Sequence, residues 1–275
     1  MGINVNIIAG STAEASSVRA SGSIVEIITD TQAQLFGLSD SGLKNAVKAF
    51  FGQAPNDAYL HSPTPWGDLY MTYGWPQVQS TLDVISAQVL TLKSNPVALG
   101  TRKYTNNGAT VATFTADLTD TVNETTETSW SQTQGVEVGQ TISYGVEFSG
   151  VNIGGETSIS YSQEFGVGGS ESKEVSISAT SGVSFELVPG QSAEVDFNAS
   201  RGVLEVELVY QLSLSGDVAV NYNPTYKGHH FWGLGVNQVL QGAGLSTTFQ
   251  YKETIEIGYY SNGEITVNKS PQPNS

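Results

Sequence analysis

The feature of this 275-residue sequence that most restricts its fold is a long alternation of apolar and polar residues at 136–167. Successive side chains of a β-strand point to opposite faces of the sheet, so an alternation of period two predicts strands with two different faces. The alternation changes phase after Gly150, which predicts a turn between two antiparallel strands. One face of this hairpin is apolar, and the other carries mainly serine, threonine, glycine and glutamate.

The length of the hairpin suits a lipid bilayer. A membrane-crossing strand shows an apolar side to lipid and a polar side to a water-filled lumen. At about 3.3 Å per residue and a tilt near 40°, residues 136–148 rise about 33 Å, and the hydrocarbon core is about 30 Å thick. The predicted lipid-facing residues are Val136, Val138, Ile142, Tyr144, Val146, Phe148, Val151, Ile153, Ile159, Tyr161, Phe165 and Val167. The predicted lumen-facing residues are Glu137, Thr141, Ser143, Glu147, Glu156, Ser158, Ser160 and Glu164.

One hairpin cannot close a barrel, so several chains would have to contribute strands. Rings of lumen carboxylates favour cations, which predicts a cation-selective pore. Glu147 lies near the hairpin tip, and protonating it would ease its passage through lipid at low pH. An ordinary β-sandwich also explains period-two strands, because each strand then buries one face. The unusual length of the hairpin and the long Ser/Thr-rich strands beside it favour the membrane interpretation.

Composition and charge limit the other classes of function. Hydrophobic residues make up 39% of the chain, there is no cysteine, and the formal net charge is −15. Such a surface repels phosphate backbones, which argues against a nucleic-acid partner. It also repels anionic lipid, so membrane affinity would have to come from a receptor or from a buried apolar element. With three histidines and no cysteine, neither a zinc site nor any other cofactor is expected. The start MGINVNIIAG lacks the features of a signal peptide, and no apolar run predicts a transmembrane helix.

The rest of the chain is also mainly β in pattern. Residues 41–52 predict one short helix that ends at Gly52, and residues 61–76 predict an aromatic loop punctuated by proline and glycine. Residues 77–93 fit either a helix or a strand. Further strands are predicted around 3–8, 22–29, 111–134, 173–188, 192–199, 203–214, 217–222, 228–236, 247–258 and 263–267.

The order of these segments resembles that of the aerolysin-like β-pore-forming proteins, especially the epsilon-toxin and mosquitocidal-toxin branch. The Ser/Thr-rich strand TVNETTETSWSQ precedes the hairpin, Ser172-Lys173-Glu174 follows it, and a strand then runs from Val188-Pro189 to Gly216. The segments DLYMTYGWPQV and YKGHHFWGLGV also resemble follicular-epithelium yolk protein and spherulin-like relatives.

The resemblance implies a mainly β, elongated aerolysin-like fold with long twisted antiparallel strands, a β-sandwich and a small N-terminal head bearing one or two short helices. It divides the chain into a receptor-binding head at 1–104, a pore-forming module at 105–222 with the hairpin at 136–167, and C-terminal strands with a tail at 223–275. Strands around 223–267 are expected to pack with the head. The implied function is that of a secreted, soluble β-pore-forming toxin, in which a monomer binds a surface receptor, assembles into a ring, commonly a heptamer, and inserts its hairpin.

Loop aromatics are the candidate receptor contacts, because aromatic rings stack on the faces of sugars in a glycan or glycoprotein. They are Trp66, Tyr70, Tyr73, Trp75, Phe231 and Trp232, with Trp66 and Tyr70 favoured. Large aromatics in a β-protein also commonly belong to the core. Two other functions compete with this one: an enzyme, for which the sequence offers no catalytic motif, and a non-lytic carbohydrate-binding, storage or defence protein on the same fold.

Overall fold

The computed structural model describes residues 2–116, 122–130, 141–148, 158–164, 169–177 and 183–271. The helices in these ranges are α1 Asp30–Leu35, α2 Asp40–Phe51, α3 Pro65–Tyr73 and α4 Val236–Gly242. The strands are β1 Asn4–Ala9, β2 Ser17–Ser21, β3 Ser23–Ile27, β4 Asp57–Tyr59, β5 Gln79–Thr105, β6 Ala112–Ala116, β7 Val122–Trp130, β8 Thr141–Phe148, β9 Ser158–Glu164, β10 Gly169–Ile177, β11 Val183–Leu187, β12 Ser192–Ser215, β13 Asp217–Tyr226, β14 His229–Gly235 and β15 Thr248–Lys269. The mainly β fold class is therefore confirmed. No helix among these is long and apolar enough to cross a lipid bilayer.

A six-stranded antiparallel sheet, in the order β10-β7-β15-β12-β5-β3, forms the frame of the molecule. The 24 residues of β12 extend about 80 Å at about 3.3 Å per residue. Every second residue of β12 is buried from Ala193 to Ala199 and again from Gly202 to Leu214, which is the period-two pattern expected of a strand with one face on the core. The buried side chains of its second half are Leu204, Val206, Leu208, Tyr210, Leu212 and Leu214.

Two predicted strand breaks are wrong. The sequence predicted separate strands at 192–199 and 203–214 and again at 247–258 and 263–267, but β12 and β15 each run through without interruption. A shift of register between Asn198 and Ser200 absorbs the irregularity in their pairing. Gly202 does not mark a turn. A Cβ at this position would lie 3.1 Å from the ring of Tyr259, so glycine here lets that ring pack against the strand.

A four-stranded sheet, in the order β2-β1-β8-β9, packs its buried face against the long sheet. β1 and β2 are antiparallel, whereas β1 and β8 run parallel. Ile3, Val5 and Ile7 of the N-terminal segment join the buried residues of β8, β12 and β15 in one core. The N-terminal strand therefore lies between β2 and the predicted insertion hairpin.

A three-stranded sheet of β14, β13 and β4 packs with two of the helices, β4 with α2 and β14 with α4. The predicted helix at 41–52 is confirmed as α2, with Gly52 in the left-handed conformation (φ 102°) after its last residue. The prediction of a loop throughout 61–76 is wrong, because it contains α3. The sequence also missed α1, which begins at a capping box formed by Thr29 and Gln32.

Candidate functional site

The two described strands of the hairpin pair in the register that the sequence pattern requires. β8 and β9 are antiparallel, with Tyr144 opposite Tyr161 and Val146 opposite Ile159. On the alternate positions, Glu147 lies opposite Ser158. Residues directly opposite each other in a sheet share a face, so the apolar positions of the two strands coincide on one side.

The apolar face of β8 is buried in the main core. Ile142, Tyr144, Val146 and Phe148 are all at least 94% buried. On the opposite face Thr141, Ser143, Glu147, Ser158 and Ser160 are exposed. The apolar face is therefore covered by protein rather than by lipid in this conformation. Other predicted hairpin residues lie outside the described residues, namely Val136, Glu137, Val138, Val151, Ile153, Glu156, Phe165 and Val167; for Ile159, Tyr161 and Glu164 only the backbone is described.

The hairpin occupies one edge of its sheet. β9 is the edge strand, and β8 is joined to the body of the protein by its ladder with β1. That ladder pairs six residues, from Asn4 opposite Ser143 to Ala9 opposite Phe148. Among the described residues, the ladder between β8 and β1 is the one that joins the hairpin to the rest of its sheet.

A polar cluster lies beneath the centre of β8. The hydroxyls of Tyr144 in β8 and Tyr210 in β12 both donate hydrogen bonds to Oε2 of Glu253 in β15, at 2.9 and 2.7 Å. Glu253 is only 2% exposed. Burial raises the pKa of the Glu253 carboxyl above its usual value, and the two phenol hydrogen bonds oppose that rise. The sequence interpretation missed this residue, although a glutamate at an inward position of an alternating strand is a visible signal.

Four of the predicted receptor-binding aromatics form a cluster that includes Phe231 of β14 and in which two side chains are exposed. We call Trp66, Tyr73, Trp75 and Phe231 the aromatic patch. The rings of Tyr73 and Trp75 are stacked with centroids 4.7 Å apart, and the ring of Trp66 lies 5.3 Å from that of Phe231. Trp66 is 47% exposed and Tyr73 is 50% exposed. Gly233 makes room for the Trp75 indole, because a Cβ there would lie 2.7 Å from that ring system.

The backbone at the start of α3 is strained where it presents Trp66. Trp66 and Asp68 both have positive φ angles, 63° and 59°, a region that residues with a Cβ rarely adopt. A hydrogen bond from the Ser62 hydroxyl to Asp68 (3.1 Å) and one from the Leu69 amide to the Thr64 hydroxyl (2.7 Å) hold this turn. Strain of this kind occurs preferentially at functional sites, where surrounding contacts maintain it.

Tyr70 and Trp232 are not members of the aromatic patch, and Tyr70 lies in a small buried core against which Trp75 and Phe231 pack. Tyr70 is 3% exposed, and its hydroxyl bonds to the carbonyls of Tyr59 and Asp217, so the prediction that it contacts a receptor is wrong. Trp232 packs instead against Phe51 with ring centroids 5.2 Å apart, and its indole N–H donates to the carbonyl of Tyr226. The contacts of both residues are therefore contacts within the fold.

No group of three or more His, Asp or Glu side chains in the described ranges is arranged to hold a metal ion. The notable features are therefore the docked hairpin, the polar cluster beneath it and the aromatic patch.

Comparison with known proteins assigns the chain to a family. It is 31% identical over 267 residues to U-megalopygitoxin(8)-Mc8 of Megalopyge crispata, which covers 97% of this chain and 92% of that protein. The chain belongs to the U-megalopygitoxin(8) family. A second member, U-megalopygitoxin(8)-Mo12 of Megalopyge opercularis, is 30% identical with the same coverage. No protein-family model matches the chain. These relatives are toxins and not enzymes, in agreement with the prediction of a non-enzymatic protein.

Solved structures identify the fold. The Bacillus thuringiensis toxin parasporin-2, which recognises cancer cells, superposes with a TM-score of 0.64 at 17% identity, covering 90% of this chain and 98% of that one. The Mpp75Aa1.1 β-pore-forming protein of Brevibacillus laterosporus superposes with a TM-score of 0.51 at 15% identity, covering 88% and 90%. The predicted resemblance to aerolysin-like β-pore-forming proteins is thus confirmed at the level of the fold.

Proposed function

We propose that the chain is a secreted β-pore-forming toxin that inserts the hairpin at 136–167 into target membranes. A soluble monomer binds a surface receptor, several monomers assemble into a ring, and each contributes its hairpin to a transmembrane β-barrel. The aerolysin-like fold and the toxin relatives support this proposal. The ring is expected to be heptameric, as is common among the proteins the chain resembles, and insect cells are the first targets to test.

The observation that carries the proposal is the position of the hairpin at the edge of its sheet. A strand in the middle of a sheet is tied on both sides, whereas this hairpin is tied to the body by the β1–β8 ladder. Its exposed face already consists of residues that suit a water-filled lumen, among them Thr141, Ser143 and Glu147. The apolar face that would contact lipid is the face now buried.

The energetics favour storage of the hairpin until a membrane is present. Burying an apolar side chain of this size contributes roughly 1.5–3 kcal/mol. Exposing Ile142, Val146 and Phe148 to water would therefore cost several kcal/mol, whereas moving them into lipid preserves that gain. Docking on the core and insertion into a bilayer are alternative ways to keep the same face dry.

The aromatic patch supplies the receptor contact in this proposal. Trp66 and Tyr73 present exposed rings at one place in the head, and Trp75 and Phe231 support them from behind. Exposed rings held at fixed angles stack on the apolar faces of sugars. A cell-surface glycan or glycoprotein is therefore the proposed receptor.

A disulfide between the hairpin and the body tests the proposal. Asn4 of β1 and Ser143 of β8 lie opposite each other and are exposed. Neighbouring strands lie about 4.8 Å apart, which suits a disulfide, and the chain has no other cysteine. The double variant Asn4→Cys, Ser143→Cys should release no dye from loaded target cells when oxidised, and reductant should restore release.

The matched control links the two hairpin strands to each other. Ser143 also lies opposite Ser162 of β9, so Ser143→Cys with Ser162→Cys ties the hairpin internally without tying it to the body. This variant should release dye whether oxidised or reduced. Equal release by the oxidised Asn4–Ser143 variant would refute the movement of the hairpin. If the wild type binds cells and stays monomeric without any release, the chain would instead be a non-lytic carbohydrate-binding or storage protein.

A further inference from the structure

The polar cluster beneath the hairpin joins three parts of the chain that are far apart in sequence. Glu253 of β15 and Tyr210 of β12 belong to the long sheet, whereas Tyr144 belongs to the hairpin. Both phenol oxygens lie within 3 Å of the same carboxylate oxygen, and they are 3.4 Å from each other. Of these three groups, only Tyr144 would leave if the hairpin left.

Filling the core at this position does not require a polar cluster. The neighbouring inward residues of the hairpin, Ile142 and Val146, are apolar, and so are Ile255 and Ile257 farther along β15. A leucine at position 253 would complete that core. A buried carboxylate is costly unless its hydrogen bonds are satisfied, and here one of the donors comes from the element proposed to move.

We propose that Glu253, Tyr144 and Tyr210 form a proton-linked latch, which keeps the hairpin docked while Glu253 is protonated and lets it go more readily when Glu253 loses its proton. The inference rests on the proposed function in one respect, namely that the hairpin undocks. It adds which residues control that step and in which direction pH acts.

The burial of Glu253 determines the direction in which pH changes the stability of the docked hairpin. In the docked state burial raises the pKa of Glu253, whereas undocking uncovers the carboxyl and returns its pKa to the ordinary value near 4.5. The docked state therefore binds the proton more tightly. Between the ordinary pKa and the raised one, each unit of rising pH favours undocking by up to about tenfold. Docking is most stable in acid, and the latch loosens toward neutral and alkaline pH.

Among the described residues, the other titratable groups at inward positions around Glu253 are the phenols of Tyr144 on β8, Tyr210 on β12 and Tyr251 on β15. Burial raises the pKa of Tyr210 and that of Tyr251 above the ordinary value of 10. The inward residues of the N-terminal strand are apolar. Within the described part of the chain Glu253 forms no ion pair with a basic side chain. Glu253 is thus the group that links protons to docking.

Hydrogen exchange of the β8 amides in the monomer, without any membrane, measures undocking directly. After correction for intrinsic exchange, protection of residues 141–148 in the wild type should fall as pH rises from about 5 to about 8. Glu253→Gln keeps the size of the side chain but cannot ionise, so its protection should stay flat and exceed that of the wild type at the highest pH. Glu256→Gln, on the exposed face of the same strand, is the matched control and should behave as the wild type.

A second pair of variants covers the case in which Glu253→Gln does not fold. Tyr144→Phe removes one hydrogen bond to the carboxylate, and charged acceptors bind more strongly than neutral ones. Its loss of β8 protection should therefore grow with pH. Tyr259→Phe removes a buried phenol of β15 that bonds to the carbonyl of Gly10, and any effect on β8 should be independent of pH.

The outcomes distinguish failure of the proposed latch from failure of the proposed pore. Wild-type protection that does not change with pH, or the same slope in Glu253→Gln, would overturn the latch. A Tyr144→Phe effect that is constant across the range would overturn it as well. Dye release from cells is measured separately, because membrane binding and insertion are steps beyond the undocking that hydrogen exchange reports. A working latch without dye release would sustain this inference and reject the pore.

Discussion

Individual tyrosines connect distant segments of this β-protein through their hydroxyls. Tyr70 of α3 bonds to the carbonyls of Tyr59 and Asp217, and Tyr259 of β15 bonds to the carbonyl of Gly10. Tyr144 and Tyr210 share Glu253. A tyrosine combines a large apolar ring with one polar atom, so it can fill the core and still tie two elements together. Trp66 is the contrasting case, an aromatic residue held outside the core by its backbone.

Substitutions at Trp66 and Tyr70 should have opposite effects. The change at Trp66 should abolish binding and preserve stability, and the change at Tyr70 should lower stability and preserve binding. Trp66→Asn removes an exposed ring, and asparagine tolerates the positive φ at this position. We expect the free energy of unfolding to change by no more than about 1 kcal/mol, while binding of labelled protein to target cells is lost. Tyr70→Phe leaves buried polar groups without their partner and should lower the free energy of unfolding by about 1–3 kcal/mol with binding retained.

Chemical denaturation and flow cytometry measure the two effects. Val111→Asn provides the control, since Val111 is 55% exposed and lies outside the aromatic patch. It should change neither quantity. Binding that survives Trp66→Asn would remove the patch from the receptor contact, and binding lost by Tyr70→Phe at full stability would restore Tyr70 to it.

At the scale of elements, alternation predicted the strands well where nothing interrupts it. The inward set of β12 from Leu204 to Leu214 and the two faces of β8 follow directly from period two. The helix α2 was also predictable from its apolar face and from Gly52. The predictions failed at positions where glycine or proline does not mark the end of a strand or a simple loop. Gly202 accommodates a tyrosine ring inside a continuous strand, and the Pro- and Gly-rich start of α3 is a left-handed turn leading into a helix.

The functional sites were predictable only in part for a similar reason. Period two gives the face on which Tyr144 lies, but it cannot say that Glu253, 109 residues later, lies under it. Likewise, the cluster of aromatics at 66–75 was visible, yet the sequence could not show which rings face water. The side chain of Tyr70 points inward, where its hydroxyl forms hydrogen bonds to two backbone carbonyls. Contacts between residues far apart in the sequence decide which side chains are buried and what they bind, and a local sequence pattern carries no information on such contacts.

The junction of β12 and β13 gives an element-scale prediction. Gly216 connects them with φ 97°, and a Cβ there would fall on the carbonyl oxygen of Gln77. Gly216→Ala should therefore combine backbone strain with a steric clash and lower the free energy of unfolding by about 2–5 kcal/mol. Gly228 also has a positive φ, 86°, but has open space around it. Gly228→Ala should lower it by about 1 kcal/mol. Urea denaturation of both variants checks the difference, and equal effects would contradict the steric argument.

At the scale of the whole molecule, the net charge of −15 shapes how the protein meets a cell. Anionic lipid repels such a surface at long range, and at physiological ionic strength the repulsion decays over about 8 Å. Non-specific adsorption to anionic lipid should therefore contribute little, and in the proposed function attachment depends on a specific contact, for which we propose the aromatic patch. The same excess of carboxylates has a second consequence once several chains surround one lumen.

In the proposed ring, every chain places one Glu147 at the same depth, so a single residue becomes a ring of carboxylates. Glu147 is exposed on the polar face of β8, opposite Ser158. The pore should therefore prefer cations, and the reversal potential across a salt gradient in a planar bilayer measures that preference. Glu147→Gln removes one charge from each chain and should move the reversal potential toward zero, while Glu147→Lys should move it further, toward anion preference.

Glu186→Gln makes the same chemical change at an exposed position of β11, outside the hairpin, and should leave the potential unchanged. If Glu147→Gln matched the wild type while Glu186→Gln did not, the lumen would be lined by a different part of the chain.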